Sequence, residues 1–108
     1  MAKGGKAEAK FQKDLIEELG LIFKGCIVLK NDEQYIQGIP DLTILYKDRY
    51  AILECKKSAD APYRPNQEYY LDILGRMSFT RTICPENKND VLEDLKEFFS
   101  VKLIENEI

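Results

Sequence analysis

The chain has 108 residues, 44% of them hydrophobic and 32% charged, with a formal net charge of -3. That length and apolar content give one domain with a modest core that needs no covalent staples. The apolar runs are too short to cross a membrane, and Met1 to Lys6 lacks the apolar stretch of a secretory signal, so a soluble intracellular protein is expected.

Residues 1–6 read as a flexible basic tail, with Gly4-Gly5 opposing helix, and residues 7–108 as a single domain. Residues 1–13 carry Lys3, Lys6, Lys10 and Lys13 against the single Glu8, whereas residues 86–108 carry seven acids against three lysines. A basic arm at one end could touch phosphates. It reads equally as a solvated tail.

From about Ala7 to Leu19 the residues Phe11, Leu15, Ile16 and Leu19 recur at helical spacing, and Gly20 supplies a stop. On a helical wheel Glu8 falls close to the centre of that apolar arc and faces the core, while Glu17 and Glu18 fall outside it or at its edge. An inward glutamate in a first turn is either a site residue or a partner of the helix dipole. Leu21 to Lys30 reads as a strand and Asn31 to Gln37 as a loop. Gly38-Ile39-Pro40 then leads into the strand Asp41 to Tyr46, which turns through Lys47 to Tyr50 into the strand Ala51 to Lys56. After a connection from Ser58 to Pro65 come a helix from Asn66 to Met77, a strand from Phe79 to Cys84 and a helix from Val91 to Phe99. The order α-β-β-β-α-β-α predicts an α/β (α+β) fold with helices packed on a central mixed sheet.

Cys26, Cys55 and Cys84 are odd in number and far apart, which predicts reduced thiols and offers no CxxC zinc pair. Histidine is absent, so the usual base for a serine or cysteine nucleophile is missing, and Ser58, Ser78 and Ser100 have no base partner. Catalysis must then run on carboxylates, lysine or a bound metal.

Side chains alternate along a strand, so Glu54 and Lys56 point to the same face of their strand, and Asp41 and Thr43 share a face of theirs. A two-residue turn at Asp48-Arg49 would set Thr43 opposite Glu54, leaving Asp41 and Glu54 diagonal neighbours about 7 Å apart, within reach of one ion. Two carboxylates without histidine make a hard oxygen site suited to Mg²⁺ or Mn²⁺. The same three residues could be the solvated side of a hairpin. Against that, Leu42, Ile44, Tyr46, Leu53 and Cys55 on one side, with Leu45 and Ile52 on the other, predict two buried faces, and buried carboxylates need a partner.

Taken together, Gly38-Ile39-Pro40-Asp41, Glu54-Cys55-Lys56 and Gln67 resemble the virus-type replication-repair nuclease (VRR-NUC) group of the PD-(D/E)xK superfamily. Glu8-Ala9-Lys10-Phe11-Gln12 is similar to that group's first-helix motif, and Lys30 to its lysine at the end of the first strand, so the resemblance spans about residues 8 to 76. It implies a restriction-endonuclease-like core and a Mg²⁺- or Mn²⁺-dependent endodeoxyribonuclease with no small-molecule cofactor. Asp41 and Glu54 would bind metal, Glu8 would complete the acidic cluster, Lys56 would assist the attacking water, and Gln67 would support the site. The substrate is expected among nicked, flapped or four-way-junction DNA. The resemblance further implies a homodimer in the cytoplasm of a bacterium or a phage-infected host.

Lys30, Lys10, Lys57 and Arg64 are candidate phosphate contacts, each weighed against an ordinary surface cation, as are Arg76 and Arg81. Tyr70 is expected to serve packing. Cys55 and Arg64-Pro65-Asn66 depart from the group's pattern; Asn66 is expected to cap its helix. A catalytically silent DNA-binding or partner-binding module on the same fold is the alternative reading.

Overall fold

The computed structural model describes residues 5–100. Residues 1–4 of the expected tail, and 101–108 of the acidic end, lie outside that range. The element order is α1 (Gly5–Ile22), β1 (Ile27–Lys30), β2 (Leu42–Tyr46), β3 (Arg49–Cys55), α2 (Gln67–Gly75), β4 (Phe79–Ile83) and α3 (Lys88–Ser100), the order the hydrophobic patterning predicts. The four strands form one sheet in the order β1-β2-β3-β4; β1 with β2 and β2 with β3 pair antiparallel, and β4 joins β3 in parallel. A parallel pair needs a crossover, and α2 supplies it.

The two faces of the sheet follow from alternation along β3. Ala51, Leu53 and Cys55 leave on one face, where they pack with Leu42, Ile44 and Ile83 against Leu15, Leu19 and Phe23 from the α1 region and Val91, Leu92, Leu95 and Phe99 of α3. Ile52 and Glu54 leave on the other, toward α2, which packs chiefly on β4. The first face is the core. The second is only partly covered: Ile52 is buried, but Ile27, Leu29 and Leu45 are exposed, so the expectation that Leu45 lies in a second buried layer is corrected. Nine-residue α2 is too short, and sits too near β4, to roof β1 and β2 as well.

Three local expectations also change. Gly20 does not stop α1, which runs on to Ile22. Glycine in a helix costs about 1 kcal/mol, and burial of Leu19 and Phe23 on either side outweighs it. The chain instead leaves the helical path at Gly25, whose φ of 91° is open to glycine at little cost. The strand expected from Leu21 is therefore confined to Ile27–Lys30. The hairpin pairs Tyr46 with Arg49, so its turn is Lys47-Asp48 and not Asp48-Arg49, with Lys47 at a φ of 57°.

No helix among the described residues is long and apolar enough to cross a membrane.

Candidate active site

The corrected register alters the geometry of the acidic pair. Leu42 pairs with Leu53 and Thr43 with Ile52. One step further along, Asp41 comes directly across from Glu54, a closer placement than the diagonal one. Asp41 is held there from both sides. Asn31 donates its side-chain amide to the Pro40 carbonyl (2.9 Å) and to Thr43 Oγ1 (3.0 Å), and its backbone N–H bonds the Asp41 carbonyl at 2.8 Å. On the β3 side the Cys55 N–H donates to Asp41 Oδ2 at 2.8 Å. The side chain thus continues the ladder where the strand itself ends.

Glu54, Lys56 and Gln67 meet on the α2 face, and all three are buried. Gln67 Nε2 donates to Glu54 Oε2 at 2.9 Å, while Gln67 Oε1 accepts from Lys56 Nζ and from the Arg64 N–H, both at 2.7 Å. Those partners fix which way the amide points, since only the oxygen can face two donors and only the nitrogen a carboxylate. Lys56 Nζ also donates to the Pro62 carbonyl at 3.1 Å and lies 3.5 Å from Glu54 Oε2. A buried carboxylate and ammonium contribute little net stability over apolar residues of the same size. The trio is therefore not accounted for by fold stability alone.

Gln67 reaches the trio because α2 starts in an unusual way. Asn66 has a φ of 71° and forms no side-chain cap bond, which corrects its expected capping role. The left-handed turn instead brings the chain against Gly38: a Cβ on Gly38 would stand 2.5 Å from Asn66 Cβ. The loop before β2 and the start of α2 are thereby locked together, carrying Asp41 and Gln67 into one neighbourhood.

The remaining expected residues divide. Glu8 is buried on α1, as the helical wheel predicts. Among the described residues no group of three or more His, Cys, Asp or Glu side chains that could hold a metal ion is found. Lys30 pairs with Leu42, so it leaves the sheet on the face opposite Glu54 and is exposed. Lys10 is exposed and paired with Asp14 at 3.0 Å; Lys57 is exposed; Arg64 lies 3.5 Å from Glu33. Arg76 and Arg81 pair with Asp72 and Asp94. Tyr70 is half-buried with its ring 5.1 Å from that of Tyr69. The three cysteines are free thiols.

A pocket of about 200 Å³ opens beside Lys56, lined by Ser58, Ala61, Tyr63, Thr82 and Asn87 among others. Its wall contains residues with no expected role in the sequence. Tyr63 covers the Lys56 ammonium, and Asn87 closes the far side by accepting from the Cys84 N–H at 2.8 Å and donating to the Thr82 carbonyl at 3.1 Å. A single tyrosine in an aperiodic connection carries no pattern that would single it out. Beside the same loop the Ala59 backbone above all, then the N–H of Glu86 itself, holds the Glu86 carboxyl below its ordinary value of 4.5; burial opposes this, Cys84 adds to it and Asp60 opposes it. A lowered carboxyl contributes stability above its unfolded value and loses it as pH falls through the folded one. Protection of the Ala59 amide from hydrogen exchange is therefore expected to hold above pH 4.5, decline below it, and lose that dependence in Glu86→Gln.

No family model, curated protein or solved structure matches the chain.

Proposed function

We propose that the chain is a Mg²⁺- or Mn²⁺-dependent DNA endonuclease that hydrolyses phosphodiester bonds. The observation that carries this reading is the buried Glu54–Gln67–Lys56 network beside Asp41. The resemblance to the VRR-NUC group supplies the reaction class, and three of the residues carrying it, Glu54, Lys56 and Gln67, meet in this network.

The donor set fits a hard divalent ion. Asp41 and Glu54 offer carboxylate oxygens, and Mg²⁺ is ordinarily held by one or two carboxylates with waters completing its shell, so a third protein carboxylate is not required. When bound, the ion supplies Lewis-acid polarisation of the phosphodiester and a more acidic water. The chain's own groups do the rest. Lys56, held in a fixed direction by Gln67, orients the attacking water and offsets the negative charge that develops on the phosphate. Gln67 keeps that ammonium and the Glu54 carboxylate in register without carrying charge itself. Asp41, anchored by the Cys55 N–H, fixes the second carboxylate.

DNA and a second copy of the chain are the proposed partners. The exposed Ile27, Leu29 and Leu45 give self-association an apolar surface, and Lys57 and Arg64 flank the network as phosphate contacts. Three free thiols agree with the reducing cytoplasm as its compartment. One observation favours the alternative of a silent DNA-binding module: Glu54 has no exposed surface, and its Oε2 is already engaged by Gln67.

The deciding experiment incubates the protein with supercoiled plasmid and with a four-way junction, in Mg²⁺, in Mn²⁺ and in chelator. Cutting in metal that stops in chelator is expected. Tight binding to either DNA with no cutting in any metal would replace the nuclease by the binding module.

A further inference from the structure

Lys56 is surrounded on three sides by groups already described, and Tyr63 occupies a fourth. The Lys56 ammonium lies 5.1 Å from the centre of the Tyr63 ring, in the range where the negative face of an aromatic ring attracts a cation. The ring is held at both ends. Its own chain position follows Pro62, whose carbonyl accepts from the same ammonium, and its hydroxyl lies 2.8 Å from Thr82 Oγ1. Thr82 is the β4 residue paired with Glu54. Tyr63 therefore links the loop over the site to the strand position beside the carboxylate, although the tyrosine is 41% exposed and belongs to no core cluster.

A lysine stem has four rotatable carbons and gives up about 2 kcal/mol of rotamer entropy when fixed. Gln67 and Pro62 constrain the ammonium's donors. On its remaining side the ammonium faces the Tyr63 ring, and both residues line the pocket of about 200 Å³. We propose that Tyr63 is a positioning residue for Lys56: its ring, anchored through Thr82, confines the ammonium to the Glu54–Gln67 side of the site. The confinement is a property of the fold; its consequence for turnover rests on the nuclease reading above.

The two parts are separable by experiment. In the full chain labelled with ¹⁵N-lysine, the Lys56 ammonium protons are expected to carry an upfield ring-current shift, because they lie over a ring. Tyr63→Leu is expected to abolish that shift, whereas Tyr63→Phe and Thr82→Val, which keep a ring and lose only the hydroxyl contact, reduce it partly and to the same extent. In cleavage assays Tyr63→Leu is expected to lower kcat about tenfold with little change in KM, and Tyr63→Phe no more than about threefold. A Lys56 resonance that stays in place in Tyr63→Leu would overturn the proposal, as would equal effects of Phe and Leu. Should Tyr63→Leu fail to fold, Thr82→Val decides alone, and a Lys56 signal identical to the parent's counts against the proposal. If the parent protein cuts no DNA in any metal, the nuclease reading fails while the Lys56 resonance still decides whether Tyr63 holds the ammonium.

Discussion

Lys56→Met is expected to reduce metal-dependent cleavage by on the order of 10² to 10³-fold, the usual range for removing a group that stabilises charge developing in the transition state. The same substitution is expected to destabilise the fold, because it removes the cation 3.5 Å from Glu54, a carboxylate with no exposed surface. Breaking a buried pair from one side costs about 3 to 5 kcal/mol. The double variant Lys56→Met with Glu54→Gln removes both charges and is expected to recover most of that stability while staying inactive. Urea unfolding of the two variants beside the parent measures the first effect, and plasmid cutting the second. Inactivity with recovered stability shows that the loss of cutting is not a loss of fold. Recovery of both would mean that neither Lys56 nor Glu54 takes part in cutting.

The second large effect is expected at a residue that carries no side chain. Gly38→Ala adds a methyl group that would stand 2.5 Å from Asn66 Cβ, 2.7 Å from its carbonyl carbon and 2.9 Å from its carbonyl oxygen. Two of those atoms are backbone and cannot rotate away. Gly38 also has a φ of 91°, outside the range that alanine adopts without strain. Overpacking and backbone strain together predict a loss of about 2 to 5 kcal/mol, seen as a lower urea midpoint. Because Asn66 precedes Gln67, the retreat of the α2 start would also pull Gln67 from Lys56. Cleavage is therefore expected to fall in whatever fraction remains folded, and addition of metal is not expected to restore it.

Much of this architecture was legible because it rests on periodicity. The alternation in β2 and β3 and the helical spacing in α1 come from the same requirement, one apolar face toward one core, and Leu15, Leu19, Leu42 and Leu53 obey it. Glu8 was placed inward by the same rule. What escaped prediction depends on contacts between segments remote in sequence. Gly20 reads as a stop only if the burial of Leu19 and Phe23 is unknown. The turn shifted by one residue because Lys47 accepts a positive φ, a local conformation that alternation does not encode. Asn66 reads as a cap from its residue type, but its backbone is set by the approach of Gly38, 28 positions earlier in the chain.

The candidate site shows the same division. Asp41, Glu54 and Lys56 could be placed on one sheet face from spacing alone, since an even shift in register preserves the face. Gln67 was reached through resemblance, and the structure adds its bonds to both charged partners. Lys30 was expected near the site because it ends a strand, yet parity along β1 sends it to the opposite face. Tyr63, Thr82 and Asn87 come from three segments with no shared pattern, and only the folded chain brings them to one pocket.

The nuclease account rests on Asp41 and Glu54 acting as a pair, and its most direct test is plasmid cleavage in Mn²⁺ by the parent protein and by Asp41→Ala, side by side at equal folded concentration. Cutting by the parent that is abolished both by chelator and by Asp41→Ala is the predicted result. Metal-dependent cutting that survives in Asp41→Ala would contradict the account.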